Sequence, residues 1–226
     1  MALDRAQRNG IAHHYAHRGH QWYARWKLAC DPAYDAVDHL LRGSSLPLLD
    51  IGCGIALLGQ YLQAAGMRAP YIGVDHDPRK ITAASEAAAA AGLGEQMDLR
   101  CADAVTLPPV HGHVTLLDVL HYLTATKQQA LLQVAIAHLA PAGTLVIRNV
   151  LREPNWRFHA TRVEEFFLRV SGWIPGGAQH YPDAEELCAP LRRAGLDVQV
   201  SSLRGRTPYN SYLLVARFHD TEQKRA

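Results

Sequence analysis

Cysteine is scarce and scattered in this 226-residue chain: Cys30, Cys53, Cys101 and Cys188 stand far apart, with no Cys-x-x-Cys pair. That argues against a thiolate zinc site or a disulfide framework and predicts reduced thiols in a cytoplasmic protein. No apolar run approaches the ~20 residues of a membrane-spanning helix. The polar, charged stretch from Met1 to Gly10 lacks the apolar region of a signal peptide. Neither charge dominates, since 23 Lys and Arg face 21 Asp and Glu for a formal net charge of +2. Such a balance lacks the basic excess of a nucleic-acid-binding face, so neither a nucleic-acid partner nor an integral membrane segment is expected. Internal repeats and disordered linkers are missing too. The length and an apolar content of 48% suit one α/β domain with a substantial core.

Within that domain the richest signal is Leu48-Leu49-Asp50-Ile51-Gly52-Cys53-Gly54-Ile55-Ala56, a short apolar strand running into a glycine turn. Leu57, Leu58, Tyr61 and Leu62 mark the following helix, ended near Gly66, and Tyr71-Ile72-Gly73-Val74-Asp75 is a second strand ending in a carboxylate. Doubly wound sheets hold nucleoside-containing cofactors in this way, with backbone approaching closely at the glycines and an acid accepting from a ribose diol. A dinucleotide fingerprint counted from Gly52 requires Gly or Ala where this chain has Leu57, and it usually lacks an acid at the position of Asp50. An NAD(P)-dependent oxidoreductase is therefore disfavoured.

The order acid-x-Gly-x-Gly-x-Gly resembles the first motif of the class I S-adenosylmethionine (SAM) dependent methyltransferases. Asp50, Gly52 and Gly54 match it, and Ala56 stands where a third glycine is usual. The resemblance spans about residues 46–217 and implies SAM as cofactor, with Asp50, Gly52, Cys53, Gly54 and Ala56 at its methionine end. It also implies a ribose bonded to Asp75, with His76 beside the adenine or in solvent. Asp77 would cap the helix opening at Pro78 and leave Asp75 free for the sugar. Cys101-Ala102-Asp103-Ala104 resembles the adenine-edge motif, in which a carboxylate accepts from the exocyclic amine, here Asp103, and the neighbouring amide, at Ala104, meets a ring nitrogen. The stretch from Leu116 through Asp118 and Val119 to Leu123 corresponds to the segment beneath the sulfonium. It lacks an Asn-Pro-Pro-Tyr sequence, which argues against methylation of nucleic-acid amines.

The remaining elements fit a Rossmann-like doubly wound α/β sheet of about seven strands with an antiparallel last strand. Residues 1–46 read as an N-terminal helical cap, with a helix opening at Asp31-Pro32; residues 47–218 form the SAM-binding domain, and 219–226 a frayed tail. Strands are expected at Leu46–Ile51, Tyr71–Asp75, Leu99–Cys101, Val114–Asp118, Thr144–Val150, Leu196–Leu203 and Tyr209–Arg217. Helices are expected from Pro78 to Ala91, Thr126–Leu139, Trp156–Val170 and from Asp183 to Arg193.

Substrate chemistry is less sharply written. The imidazole of His121 suits removal of a phenol or acid proton near neutral pH, and packing on the cofactor is the plainer alternative. Tyr15, Arg18 and Tyr23 in the leader, Tyr122 after the fourth strand, and Arg152 and Phe158 after the fifth are candidates to contact the acceptor. His13, His17 and His20 have helical spacing for a metal, but no acid or thiolate completes the set and Gly19 interrupts the helix, so no metal is expected. The five arginines between Arg148 and Arg169 read as a solvated face. A carrier-protein or membrane-surface contact of that segment is the sharper alternative. The leader pattern of aromatics, Lys27-Leu28, Asp31-Pro32 and Tyr34 is loosely similar to methyltransferases of bacterial aryl-polyene pigment pathways such as xanthomonadin. That similarity implies an aromatic or acyl-chain acceptor, methylated at O or C, with a carrier-protein-linked acyl chain as its longer version. A SAM-fold partner subunit without catalysis is the alternative of a different class.

Overall fold

The structure is a computed structural model and describes residues 3–153, 177–203 and 210–219. The helix expected at Trp156–Val170, with Phe158, falls outside those residues. Seven strands form one mixed sheet: β1 (Leu48–Ile51), β2 (Tyr71–Asp75), β3 (Met97–Cys101), β4 (His113–Leu117), β5 (Leu145–Val150), β6 (Leu196–Ser202) and β7 (Ser211–Phe218). Their order is β3-β2-β1-β4-β5-β7-β6. β1 to β5 pair in parallel, while β7 runs antiparallel to both β5 and β6. The chain winds outward from β1 to β3, then returns to lay β4 on the other side of β1. Open α/β sheets bind ligands at such a reversal, beyond the carboxyl ends of the strands.

Local sequence explains these elements. β1 and β5 are buried along their whole length, as central parallel strands covered on both faces must be. α4 (Leu57–Ala64) follows β1, and α5 (Pro78–Ala90) follows β2. Asp77 caps α5 by accepting from the Arg79 amide, and Pro78 supplies the first-turn position where a missing N–H costs nothing. α6 (Ala125–His138) is capped by Thr124, and α7 (Ala184–Arg193) opens with a reciprocal capping box between Asp183 and Glu186.

The leader forms α1 (Arg5–His13), α2 (Arg18–Cys30) and α3 (Ala33–Leu41). Ile11, Ala12, Tyr15, Ala24, Leu28 and Val37 share one apolar core with Leu48 of β1, Tyr71 of β2 and Leu57, Leu58, Tyr61 and Leu62 of α4. Two expectations are corrected here. Gly19 does not interrupt a helix; it sits in the first turn of α2, where a Cβ would lie 3.0 Å from the ring of the capping His17. Its bareness makes room for that cap, whose Nδ1 accepts from the Gly19 amide at 3.1 Å. Arg148 is not on a solvated face either: it lies within β5 and is only 6% exposed.

Candidate active site

The turn after β1 is built from three left-handed residues, Gly52, Gly54 and Ala56, with φ of +75°, +58° and +54°. The amides of Gly52 and Cys53 donate to the Val74 carbonyl at 2.8 and 3.0 Å, pinning the turn to β2. The two glycines serve different ends. A Cβ on Gly52 would lie 2.5 Å from Cγ2 of Val119, so the space above it belongs to that side chain. A Cβ on Gly54 would meet nothing within 4 Å, leaving its face open to a ligand. Ala56 is fully buried and starts α4, so the methyl that replaces the usual glycine hydrogen has to be held in a conformation costly for an L-residue. From the cap, the Tyr15 hydroxyl donates to the Ile55 carbonyl at 3.0 Å, and burial pushes this phenol's pKa above its ordinary value. Burial also raises the Cys53 thiol, which is therefore no nucleophile at neutral pH.

Asp50, Asp75, Asp103 and Asp118 were the carboxylates expected along the cofactor. Asp50 is buried in β1, accepting from the Tyr71 hydroxyl at 2.5 Å and the Thr115 hydroxyl at 2.7 Å. Burial raises its pKa to about 6 against the lowering effect of those two bonds, and the nearby charge of Asp75 raises it further. Asp75 ends β2, and the sequence expectation that it stands free is corrected, since both of its oxygens are bonded. Its Oδ2 accepts from the Gly54 amide and its Oδ1 from the Asp77 amide, both at 2.9 Å. A carboxylate offers about four lone-pair sites, so this bracing leaves capacity for a diol. Asp103 is exposed and accepts from the Val105 amide at 3.0 Å, capping a 3-10 turn at Ala104–Thr106; Ala104 is buried beneath it. His76 points into solvent, its side chain 92% exposed.

Asp118 follows β4 with φ +60° and belongs to a four-charge cluster that sequence reasoning missed. Its Oδ2 takes Arg148 of β5 and, at 3.3 Å, Nζ of Lys27 in α2. Asp31, at the end of α2, lies 3.0 Å from Lys27 Nζ and 3.4 Å from Arg148 Nη1. Burial pushes the Asp31 carboxyl up, but Arg148 and Lys27 outweigh it and hold it well below the usual carboxylate range. The cluster fastens the cap to the ends of β4 and β5. An arginine and an asparagine inside the otherwise apolar run Leu145–Val150 were the sequence signal for it.

That asparagine sits by the candidate base. His121 is 2% exposed, and its Nδ1 lies 2.9 Å from Oδ1 of Asn149. Asn149 Nδ2 donates to the Val150 carbonyl at 2.9 Å, which turns Oδ1 toward the ring. In the tautomer that carries its proton on Nδ1, the ring donates to the Oδ1 that this arrangement presents. Tyr122 and Tyr181 flank the imidazole, with ring centroids at 4.1 and 6.2 Å. The loop bearing it is held by Gln128, whose Nε2 donates to the Leu120 and His180 carbonyls at 2.9 Å.

Of the other acceptor candidates, Tyr23 is half-buried in α2 and Arg18 is exposed at its start. Arg152 pairs with Asp183 at 3.2 Å and Glu186 at 3.6 Å over the start of α7. Among the described residues no group of three or more His, Cys, Asp or Glu is placed to hold a metal ion, and no helix is long and apolar enough to cross a membrane.

An open glycine face beside a braced carboxylate, at the reversal of the sheet, fits the nucleoside-bearing cofactor that the sequence implied. The family described as "Methyltransferase domain" matches residues 48–143. No curated protein matches the chain in sequence. Among solved structures, magnesium protoporphyrin IX methyltransferase from Synechocystis with bound SAH is similar at 20% identity and a TM-score of 0.66, over 88% of this chain and 87% of that one. An O-methyltransferase family protein from Burkholderia thailandensis is similar at 20% identity and 0.67, over 98% of this chain but 64% of its own, so this chain spans less than two thirds of that protein. The [4+2]-cyclase SpnF is similar at 19% identity and 0.62, over 94% and 92%. Over residues 48–143, from β1 to the turn before β5, the chain is thus similar to a methyltransferase domain.

Proposed function

With residues 48–143 as a methyltransferase domain, we propose that this chain transfers the methyl group of SAM to an oxygen of a small aromatic or acyl-chain acceptor. The observation that carries the reading is the Asp75 carboxylate, bonded at 2.9 Å to the Gly54 amide beneath an open glycine face. Asp75 would accept from the ribose, Gly54 would let the cofactor lie against bare backbone, and Asp103 and Ala104 would meet the adenine edge. Asp50, Cys53 and Ala56 would shape the methionine end, with Asp118 and Val119 opposite. Bound there, SAM supplies an electrophilic methyl on a sulfonium. The chain's own contribution is placement of the acceptor and removal of its proton. Nε2 of His121 would take that proton, with Asn149 steadying the resulting imidazolium at Nδ1. Tyr122 and Tyr23 are proposed to line the acceptor's apolar part, with Arg152 toward its polar end. A carrier-linked acyl chain is the longer version of the same substrate class.

Calorimetric titration with SAM and SAH, with NADP as control, tests the cofactor; transfer of labelled methyl to phenolic and polyene acids tests the reaction. Binding without transfer to any acceptor would favour a partner subunit that keeps the cofactor, and binding of NADP alone would overturn the reading.

A further inference from the structure

Residues 5–30 carry Arg5, Arg8, Arg18, Arg25 and Lys27 but none of the chain's 21 acidic residues. In a chain of net charge +2 this is a marked local excess. Two of the five are neutralised: Arg8 by Asp35 at 3.0 Å, and Lys27 by Asp31 and Asp118. Among the described residues no carboxylate lies within ion-pair reach of Arg5, Arg18 or Arg25, and all three are exposed.

On α2, Arg18, Trp22, Arg25 and Ala29 recur at intervals of four, three and four residues and are all exposed. At 100° per residue they fall within an arc of about 60°. The opposite side of the helix buries Ala24 and Leu28 in the shared core, so packing fixes which face looks outward. Trp22 is 67% exposed, and its indole lies nearly parallel to that of Trp26 one turn on, with centroids 6.4 Å apart and planes at 6°.

We propose that this outer stripe of α2 docks on an anionic phospholipid surface. Guanidinium groups pair with lipid phosphates through paired N–H donors. Indole rings settle at headgroup depth, where one edge is wet and the other apolar. A narrow stripe of arginines around a protruding indole matches a flat bilayer. A protein partner would instead need a broader apolar centre with a polar rim. The Lys27–Asp31 end of the same helix is fastened to Asp118, so docking would set the carboxyl ends of β4 and β5 close to the bilayer.

The test is co-sedimentation of the full chain, saturated with SAH, with vesicles of phosphatidylcholine alone or mixed with phosphatidylglycerol. Sedimentation with the mixed vesicles only, released by raising salt from about 0.1 M toward 1 M, is expected. Trp22→Ser and the pair Arg18→Glu with Arg25→Glu should each lower the bound fraction about tenfold or more. These side chains are exposed, and unchanged SAH affinity and thermal unfolding verify that the variants fold. Failure to sediment with mixed vesicles, equal sedimentation with both kinds, or variants that bind like the parent overturns the proposal. So does capture of a purified acyl carrier protein in place of vesicles, which assigns the stripe to an acidic protein.

Discussion

Oδ2 of Asp75 and the amide nitrogen of Gly54 are 21 residues apart in sequence and 2.9 Å apart in space. The acid of the second strand thus sets the shape of the turn after the first. Asp75→Ala should weaken SAH binding by more than about 1.4 kcal/mol, tenfold, because it removes the brace and a charged acceptor together. Isothermal titration measures this directly, and unchanged affinity would refute the ribose assignment.

His121→Ala should lower kcat for a phenolic acceptor about 100-fold while leaving SAH affinity within about twofold. Asn149→Ala should lower kcat less, because the ring keeps its basic nitrogen but loses the acceptor that sets its tautomer. Steady-state kinetics beside titration separate the two effects. A wild-type rate in His121→Ala removes the base role.

Ala56 and Ala87 are both fully buried, yet only Ala56 has a positive φ, +54°. Replacement by glycine should therefore cost about 1–2 kcal/mol less at 56 than at 87, in the middle of α5. Denaturant unfolding of the two variants provides the comparison, and equal losses would mean that the turn carries no strain at Ala56.

The Asp50 carboxyl, raised to about 6 by burial, favours its protonated form in the folded chain more than in the unfolded one. The folded state holds the extra proton between the ordinary carboxylate value and about 6, so this group's contribution to stability declines as pH rises through that window. Asp50→Asn should accordingly gain stability relative to the parent from about pH 4 to 6, by on the order of 2–3 kcal/mol. Urea melts across that range would show a flat difference if Asp50 titrates normally.

Much of the sheet was legible because alternating strands and helices announce themselves through turn chemistry. Tyr71–Asp75 coincides with β2, and the Asp77-Pro78 helix start and the Asp183 cap appear as expected. The glycine turn was visible in its residue types but not in its division of labour. That Val119 fills the space over Gly52 depends on the backbone path after β4, 67 residues later, and no local pattern encodes such a contact. The four-charge cluster was hidden for a similar reason. Asp31 read as the acid opening a helix at Pro32, and Arg148 as one of several surface arginines, until the sheet brought β5 beneath the cap. Asn149 was overlooked because a polar residue in a buried strand signals only that a partner exists, not which one.

The leader's place in the common core bears on the order of assembly. When residues 3–46 leave the ribosome, Ile11, Tyr15, Leu28 and Val37 have nothing of the sheet to cover them, since Leu48, Tyr61 and Tyr71 come later in synthesis. The leader's helices must wait as loosely collapsed chain until the first β/α unit emerges. Tyr15 finds the carbonyl of Ile55 only then, so in this protein maturation of the glycine turn and docking of the α1–α2 segment are one event.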